Sequence, residues 1–385
     1  VKLRFEPFGA WVRLEAPPAV LALDREGVRA LGLDGGARWA EGAGASLPIE
    51  AHLSVTGRCS VGCEGCYLDA RPDGFEPPGD VLLGRLDALA AAGVMTVAFG
   101  GGEPITREDL GLLADAARAK GLLPVLTTSG LGLSRAKAER LKSFAQVNVS
   151  YDGSEGDYAV VRGVDGARGA EAAIRLLADV GIRVGVNVVL TSGTLAGLPA
   201  TLSRARSLGA SEAQLLRYKP AGRAASLEYL SRRLTPEQVL AFPAMLRALT
   251  LEHAPSGFSL RIDCSMVPFL AGDAELYASP ELLARAGVFG CEGGQALASV
   301  KVDGSVAPCS FVESTPLSVD HLVRGHLADD ELARWRRHAA APPEPCASCA
   351  IREVCKGGCK AVSLFVDGAH GPDPECPRVR AHRAS

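Results

Sequence analysis

Cys59, Cys63 and Cys66 stand within eight residues, in the stretch LSVTGRCSVGCEGCYLDA, just after a short apolar run with the composition of a strand. Thiolates are soft donors, and three at this spacing can each take one corner of a cubane iron–sulfur cluster. The fourth iron is then left without a protein ligand nearby. An open iron beside a strand end is a place for chemistry, whereas a fully ligated cluster usually only carries electrons. One strand later comes Gly100-Gly101-Gly102-Glu103-Pro104. Its glycines let a ligand approach the backbone, and Glu103 offers a carboxylate to an ammonium.

Seven more cysteines crowd the last hundred residues. Cys291 is followed after twelve residues by Gly304 and four residues later by Cys309. Beyond the proline-rich stretch Ala341–Pro345 come Cys346-x-x-Cys349, Cys355, Cys359 and Cys376. Taken alone, the CxxC knuckles also suit two zinc sites. Cys264, in RIDCSM, stands apart. It reads as a further cluster ligand, a hydrogen-atom donor, or a buried small residue. The histidines at 52, 253, 321, 326, 338, 370 and 382 show no metal-site spacing and are expected at the surface or satisfied in the core. No Ser–His–Asp pattern or phosphate-cradling loop is visible in the sequence.

The elements that must position these residues follow from residue 50 onward, where strand and helix signals alternate. The expected strands are His52–Val55, Val94–Phe99, Pro124–Thr128, Val147–Tyr151, Arg183–Leu190 and Gln214–Arg217. Between them, Asp80 is expected to cap a helix with Leu82, Leu83, Leu86 and Leu89 on one face and Gly93 as its stop. Thr106 and Asp109 read as a capping box, and Ser134 and Thr194 as caps. The expected fold is α/β, a partial (β/α)6 barrel whose strand C-terminal ends carry the site, with a flat doubly wound sheet as the alternative. Residues 1–48 read as a small β-hairpin, around Ala10–Leu14 and Val20–Leu23, with a helical turn. After Arg223 the alternation stops; Thr235-Pro-Glu-Gln238 opens a helix to about Leu251, and Phe258–Ile262 reads as a strand. The expected division is 1–48, a barrel over 49–225, a bridge over 226–285 and a cysteine-rich domain over 286–385.

The chain has 385 residues, 47% of them hydrophobic, enough for two or three domains. A net charge of −3 advertises neither a nucleic-acid nor an anionic-membrane partner. No secretion signal or membrane-length apolar run is evident. Eleven clustered cysteines then indicate a reducing compartment, with the cytoplasm expected, and metal rather than disulfides.

CxxxCxxC followed one strand later by GGEP resembles the radical S-adenosylmethionine (SAM) superfamily, and the last hundred residues are similar to the SPASM domain, which carries auxiliary iron–sulfur clusters. The resemblance implies that Cys59, Cys63 and Cys66 hold a [4Fe–4S] cluster whose open iron chelates SAM. It places Gly101, Gly102 and Glu103 at the methionyl amine and Tyr67 beside the adenine. Ser129 and Ser150 would lie near the SAM carboxylate or ribose, Arg162 would pair with the carboxylate, and Asn187 would reach the ribose; for these four a plain capped loop or surface polar group is the competing reading. Cys346, Cys349, Cys355 and Cys376 would ligate an outer auxiliary cluster, and Cys291, Cys309 and Cys359 an inner one.

The implied chemistry is reductive cleavage of SAM to a 5′-deoxyadenosyl radical, with a reductant such as flavodoxin or ferredoxin. The implied activity is a peptide maturase that forms a thioether or carbon–carbon crosslink on a ribosomally made precursor peptide. Sulfatase maturation by formylglycine formation is one alternative. Those enzymes carry an aspartate after the second cysteine of the domain as a base, where this chain has Ser310, with Glu313 nearby as a substitute. Oxidation of a small molecule is another. A multi-cluster electron-transfer protein or a zinc-binding protein is the non-enzymatic alternative. Residues 1–48 either cover one edge of the barrel or dock a leader peptide by strand addition.

Overall fold

In the computed structural model, the described residues are 1–15, 18–40 and 47–385. The N-terminal segment forms three antiparallel strands rather than a hairpin: β1 (Lys2–Glu6), β2 (Gly9–Glu15) and β3 (Pro18–Asp24). The extra strand pairs Lys2 with Arg13 and Glu6 with Gly9. Residues 16–17 and 41–46, within the expected N-terminal unit, lie outside the described residues. Ala10, Val28 and Trp39 form its small core. Its basic side chains fix where it sits. Arg4 donates to the carbonyls of Leu47, Pro48 and Gly93 at 2.7, 2.9 and 3.0 Å, and Lys2 and Arg13 both donate to the carbonyl of Gly121. Those carbonyls lie just before the main strands begin, so the unit packs at the strand N-terminal ends.

The main sheet is built from β4 (Glu50–Thr56), β5 (Thr96–Gly101), β6 (Leu123–Thr128), β7 (Gln146–Ser150), β8 (Val184–Leu190) and β9 (Glu212–Arg217). Each pairs in parallel with the next in chain order. A doubly wound sheet reverses its strand order at a switch point; this one never does. Right-handed crossovers therefore put the intervening helices on one side, as in a barrel wall. Both edges are extended. Strand β10 (Ser259–Ile262) pairs in parallel with β9, while β11 (Leu297–Val300) pairs in parallel with β4 and carries antiparallel β12 (Val306–Ala307). The pairing order runs from β10 to β12 without closing.

Alternation along the strands separates two walls. Ala51, Leu53, Val55, Val97, Phe99, Val147 and Val149 are buried against helical residues such as Leu82, Leu86 and Leu113. Each of the valine, leucine and phenylalanine side chains contributes about 1.5–3 kcal/mol by leaving water. The opposite wall carries His52, Ser54, Ala98, Gly100, Thr127, Asn148, Ser150 and Asn187, all only half-buried. The inner face of this open barrel is thus polar and reachable.

Helix ends correct three expectations. Helix Gly79–Ala91 has Pro78 at its N-cap, and Asp80 lies in the first turn, where it complements the macrodipole without capping. Leu82, Leu86 and Leu89 are buried as expected, but Leu83 is exposed. Thr106 and Asp109 form no capping box. The Thr106 hydroxyl donates to the Glu103 carbonyl at 2.6 Å, and Arg107 holds the Asp109 carboxylate at 2.8 and 2.7 Å. Thr194 bonds Thr191 instead of capping a helix. Ser134 caps Arg135–Glu139, and the helix expected to open at Thr235 does so through a capping box of Thr235 with Gln238 on Pro236–His253. Among the described residues no helix is long and apolar enough to cross a membrane.

Candidate active site

The loop leaving β4 folds back on itself: the Gly57 amide donates to Phe75 at 2.7 Å and the Cys59 amide to Arg71 at 2.9 Å. This holds Cys59, Cys63 and Cys66, all half-buried, at the C-terminal end of the strand. Burial raises the Cys59 thiol above its ordinary pKa, and Glu103, Cys63 and Cys66 add to that rise, so all three stand within its electrostatic reach. Arg223, in the turn that follows β9, staples the loop. Its guanidinium donates to the Cys63 carbonyl at 2.9 and 2.7 Å and to Asp69 at 2.8 Å, while its amide donates to the Cys66 carbonyl. Nothing in the local sequence around Arg223 announces this role.

The glycines of the second motif are demanded by this loop. A Cβ on Gly101, whose φ is +121°, would lie 2.3 Å from the Thr56 carbonyl oxygen, and one on Gly102 would lie 2.1 Å from that of Arg58. Two main chains therefore touch where only glycine fits. Glu103 is buried, and its carboxylate accepts from the Thr128 hydroxyl (2.5 Å), the Ser129 amide (2.8 Å) and hydroxyl (2.6 Å), and the Ile105 amide (3.3 Å). Four donors fill its lone pairs, so it acts on a bound cation through its charge. Ser129, at the end of β6, serves Glu103 first.

Arg162 gives its Nε to the buried Asp152 at 2.6 Å, and Cys63 lies within its electrostatic reach. Asp152 is in turn held by the Val189 amide at 2.7 Å. Burial raises the Asp152 carboxyl above its usual range, and Arg162 and Val189 pull against that rise. Ser150 and Asn187 face each other in register on β7 and β8. The Asn187 Oδ1 is buried with no hydrogen-bond partner among the described residues, an acceptor suited to a ligand hydroxyl.

Tyr67 follows Cys66 and leans on Phe311, two residues past Cys309, with ring centroids 4.8 Å apart. Burial, helped by Cys66 and Cys309, pushes its hydroxyl pKa up to about 12. One aromatic pair thus joins the first cysteine group to the C-terminal ones. There the thiols fall into two sets. Burial lifts the Cys355 thiol well above its usual value, with Cys376, Cys346 and Cys349 contributing. Burial does the same to Cys264, with Asp263, Cys291 and Cys309 contributing, and raises Cys359 to about 12, with Cys291 among its neighbours. Cys264 therefore lies within electrostatic reach of Cys291 and Cys309. Lys219, ion-paired with Asp263 and 4.0 Å above the Phe311 ring, faces Cys264, Cys359 and Cys309. Among the described residues no three His, Cys, Asp or Glu side chains converge on a point that suits a single metal ion. A cubane takes its ligands at separate corners and asks for no such point.

His52, expected as a plain surface or core histidine, faces inward. Its Nδ1 is 2.8 Å from the Ser310 hydroxyl and its Nε2 3.2 Å from Glu50 Oε1. The Ser–His–carboxylate pattern missing along the sequence is assembled here by β4 and the segment after β12.

Comparisons with known proteins agree with this arrangement. A profile of the radical SAM superfamily matches residues 53–200. The chain is 26% identical over 353 residues to a PqqA peptide cyclase of Granulibacter bethesdensis, covering 87% of this chain and 88% of that protein. It is 26% identical over 359 residues to the mycofactocin maturase MftC of Mycobacterium tuberculosis, covering 88% and 85%. In structure it is similar to Streptococcus suis SuiB bound to its precursor peptide SuiA, with a TM-score of 0.72 at 17% identity over 97% and 98% of the two chains. That last likeness concerns the fold alone.

Proposed function

The chain carries a radical SAM domain over residues 53–200, and from that premise we propose that it is a peptide maturase forming an oxidative crosslink in a ribosomally made precursor. The observation that carries this reading is the Tyr67–Phe311 contact, which sets the SAM-type cysteine loop and the inner thiol set against one barrel wall. A radical made on one side and an electron acceptor on the other is what a net oxidation needs. Relatives named PqqA peptide cyclase and mycofactocin maturase, matched over most of their length, support a peptide as the substrate.

Cys59, Cys63 and Cys66 would hold a [4Fe–4S] cluster, and the donor set fits: three half-buried thiols, the Glu103 charge beside Cys59, and the orphaned Asn187 acceptor. When bound, the cluster and SAM supply reductive cleavage of SAM and abstraction of a hydrogen from an unactivated carbon. Glu103 holds the methionyl ammonium by charge, and the Gly101–Gly102 backbone gives it a close approach. Arg162, oriented by Asp152, faces the SAM carboxylate, and Ser150 and Asn187 take the ribose. Cys346, Cys349, Cys355 and Cys376 would hold an outer auxiliary cluster and Cys291, Cys309, Cys359 and Cys264 an inner one, with Lys219 offsetting their negative charge. A flavodoxin or ferredoxin in the cytoplasm would deliver the reducing electron.

Anaerobic reconstitution tests the reading. About twelve irons per chain are expected for three cubanes, together with 5′-deoxyadenosine after reduction with SAM. Co-expression with a short open reading frame adjacent to the gene should give a peptide lighter by two hydrogens. Absence of 5′-deoxyadenosine would sink the proposal.

A further inference from the structure

Gln146 and Asn148 stand two residues apart on β7, on the same inner face as Ser150. Arg183 Nε donates to Gln146 Oε1 at 2.9 Å, and Gln146 Nε2 donates to Glu212 Oε1 at 3.1 Å and to Asn148 Oδ1 at 2.7 Å. A guanidinium can only donate and a carboxylate can only accept, so Gln146 is held one way round from both ends. Turned over, it would set N–H against N–H at Arg183 and oxygen against oxygen at Glu212. Its NH2 therefore meets the Asn148 oxygen. The Asn148 Nδ2 is left as a donor on the inner wall, without an acceptor among the described residues.

The neighbouring strands are built around this pair. Gly185 faces Asn148 in register on β8, and a Cβ there would lie 2.2 Å from Asn148 Oδ1 and 2.7 Å from Gln146 Nε2. A glycine inside a strand weakens it and marks a close approach. Glu212, in register with Gly185 on β9, is buried, with Arg261 and Arg183 at 3.5 and 3.9 Å from its carboxylate. An amide that only faced water would need no such support, since solvent serves either end of it. Asn148 itself is half-buried, one row and about 7 Å below Ser150 and Asn187.

We propose that Asn148 seats the substrate, its NH2 donating to a main-chain carbonyl of the peptide beside the carbon that gives up hydrogen. Gln146 is the positioning residue that keeps Asn148 a donor. The inference rests on the peptide-maturase reading and deepens it. The Ser150–Asn187 row is the one assigned there to the ribose, so a peptide held at Asn148 lies on the barrel side of that row. Every peptide residue offers a main-chain carbonyl, whatever its side chain. The contact therefore sets how deep the main chain lies in the barrel and leaves the choice of side chain to other residues.

Asn148→Asp keeps the size of the side chain and its acceptor toward Gln146, and replaces the inward donor by an acceptor. The precursor peptide from the adjacent open reading frame is titrated, with SAM and without reductant, into anaerobically reconstituted wild type, Asn148→Asp and Gln146→Met. Asn148→Asp should weaken peptide binding roughly tenfold and Gln146→Met by less, with SAM affinity and iron content at wild-type values. On reduction both variants should form fewer crosslinks per 5′-deoxyadenosine, because a peptide at the wrong depth holds its target hydrogen out of reach. Synthetic precursors with a single thioamide at either residue flanking the crosslink supply a second readout, since sulfur accepts weakly. One of the two should bind wild type less tightly than the parent peptide does, yet bind Asn148→Asp no less tightly. Equal peptide affinity for wild type and Asn148→Asp overturns the seat, as does a loss matched by SAM affinity or iron content. If wild type cleaves SAM but neither binds nor crosslinks the peptide, the maturase reading fails and takes the seat with it.

Discussion

Arg217, the last residue of β9, grips the carboxylate of Asp373 from 156 residues away, with nitrogens 2.6 and 3.0 Å from its two oxygens. Both side chains are almost wholly buried, Glu375 lies 2.8 Å from the same guanidinium, and Asp373 also accepts from the Cys359 amide at 2.9 Å. The end of a barrel strand and an inner-set thiol are thereby tied through one carboxylate. Removing one member strands a buried charge. Asp373→Ala should cost about 3–5 kcal/mol, read as a large drop in anaerobic unfolding midpoint together with reduced iron content. An unfolding midpoint within error of wild type would refute the clamp.

The glycine motif yields a sharper contrast. Gly102→Ala would drive a Cβ into the Arg58 carbonyl, and Gly101→Ala adds strain at φ +121°. Gly84, on helix Gly79–Ala91, has open space where its Cβ would go. Gly84→Ala should stabilise by about 0.5–1 kcal/mol through helix propensity alone, while Gly101→Ala and Gly102→Ala displace the Thr56–Arg58 backbone and cut the iron bound by the first cysteine loop. Iron counts and unfolding curves on the three variants decide it.

Much of this was readable from the chain. All six barrel strands lie where period-two runs between glycine and proline signals put them, because a buried outer wall enforces the alternation. The division of the later cysteines into two sets is what the resemblance to the SPASM domain implies. What was not readable is what long-range pairing decides. Leu297–Val300 is too short to signal that it pairs with β4, and His52 carries no local sign of Ser310. Asp80 and Thr106 have the residue types of caps but lose that role to a preceding proline and to Glu103. Propensity proposes such contacts, and competing partners dispose of them.

Glu103 should matter to SAM by charge more than by shape. Glu103→Gln keeps the size of the side chain but removes the negative charge beside Cys59, and it forces an amide NH2 against the Ser129 or Thr128 donors. Loss of that charge, taken at about 1.5–3 kcal/mol, the worth of a contact to an ionised group, predicts SAM binding weakened roughly ten- to a hundredfold. Ser129→Ala removes one of four donors and should weaken it less. Equilibrium binding of SAM to the reconstituted protein separates the two, and equal affinities for Glu103→Gln and wild type would exclude the role.

His326 supplies a pH signature independent of any cofactor. Burial, with Arg336 nearby, lowers its pKa from the ordinary 6.5 to about 4. The folded protein therefore holds it neutral while the unfolded chain takes up the proton first as pH falls. Its contribution is fully present above about pH 6.5 and is lost as pH drops toward 4, reaching about 3 kcal/mol at the low end. Unfolding measured at pH 7 and at pH 4.5 should show a smaller acid loss in His326→Gln than in wild type, even where the variant is less stable at pH 7. Equal acid losses in the two proteins would show that this imidazole is already free to charge in the folded state.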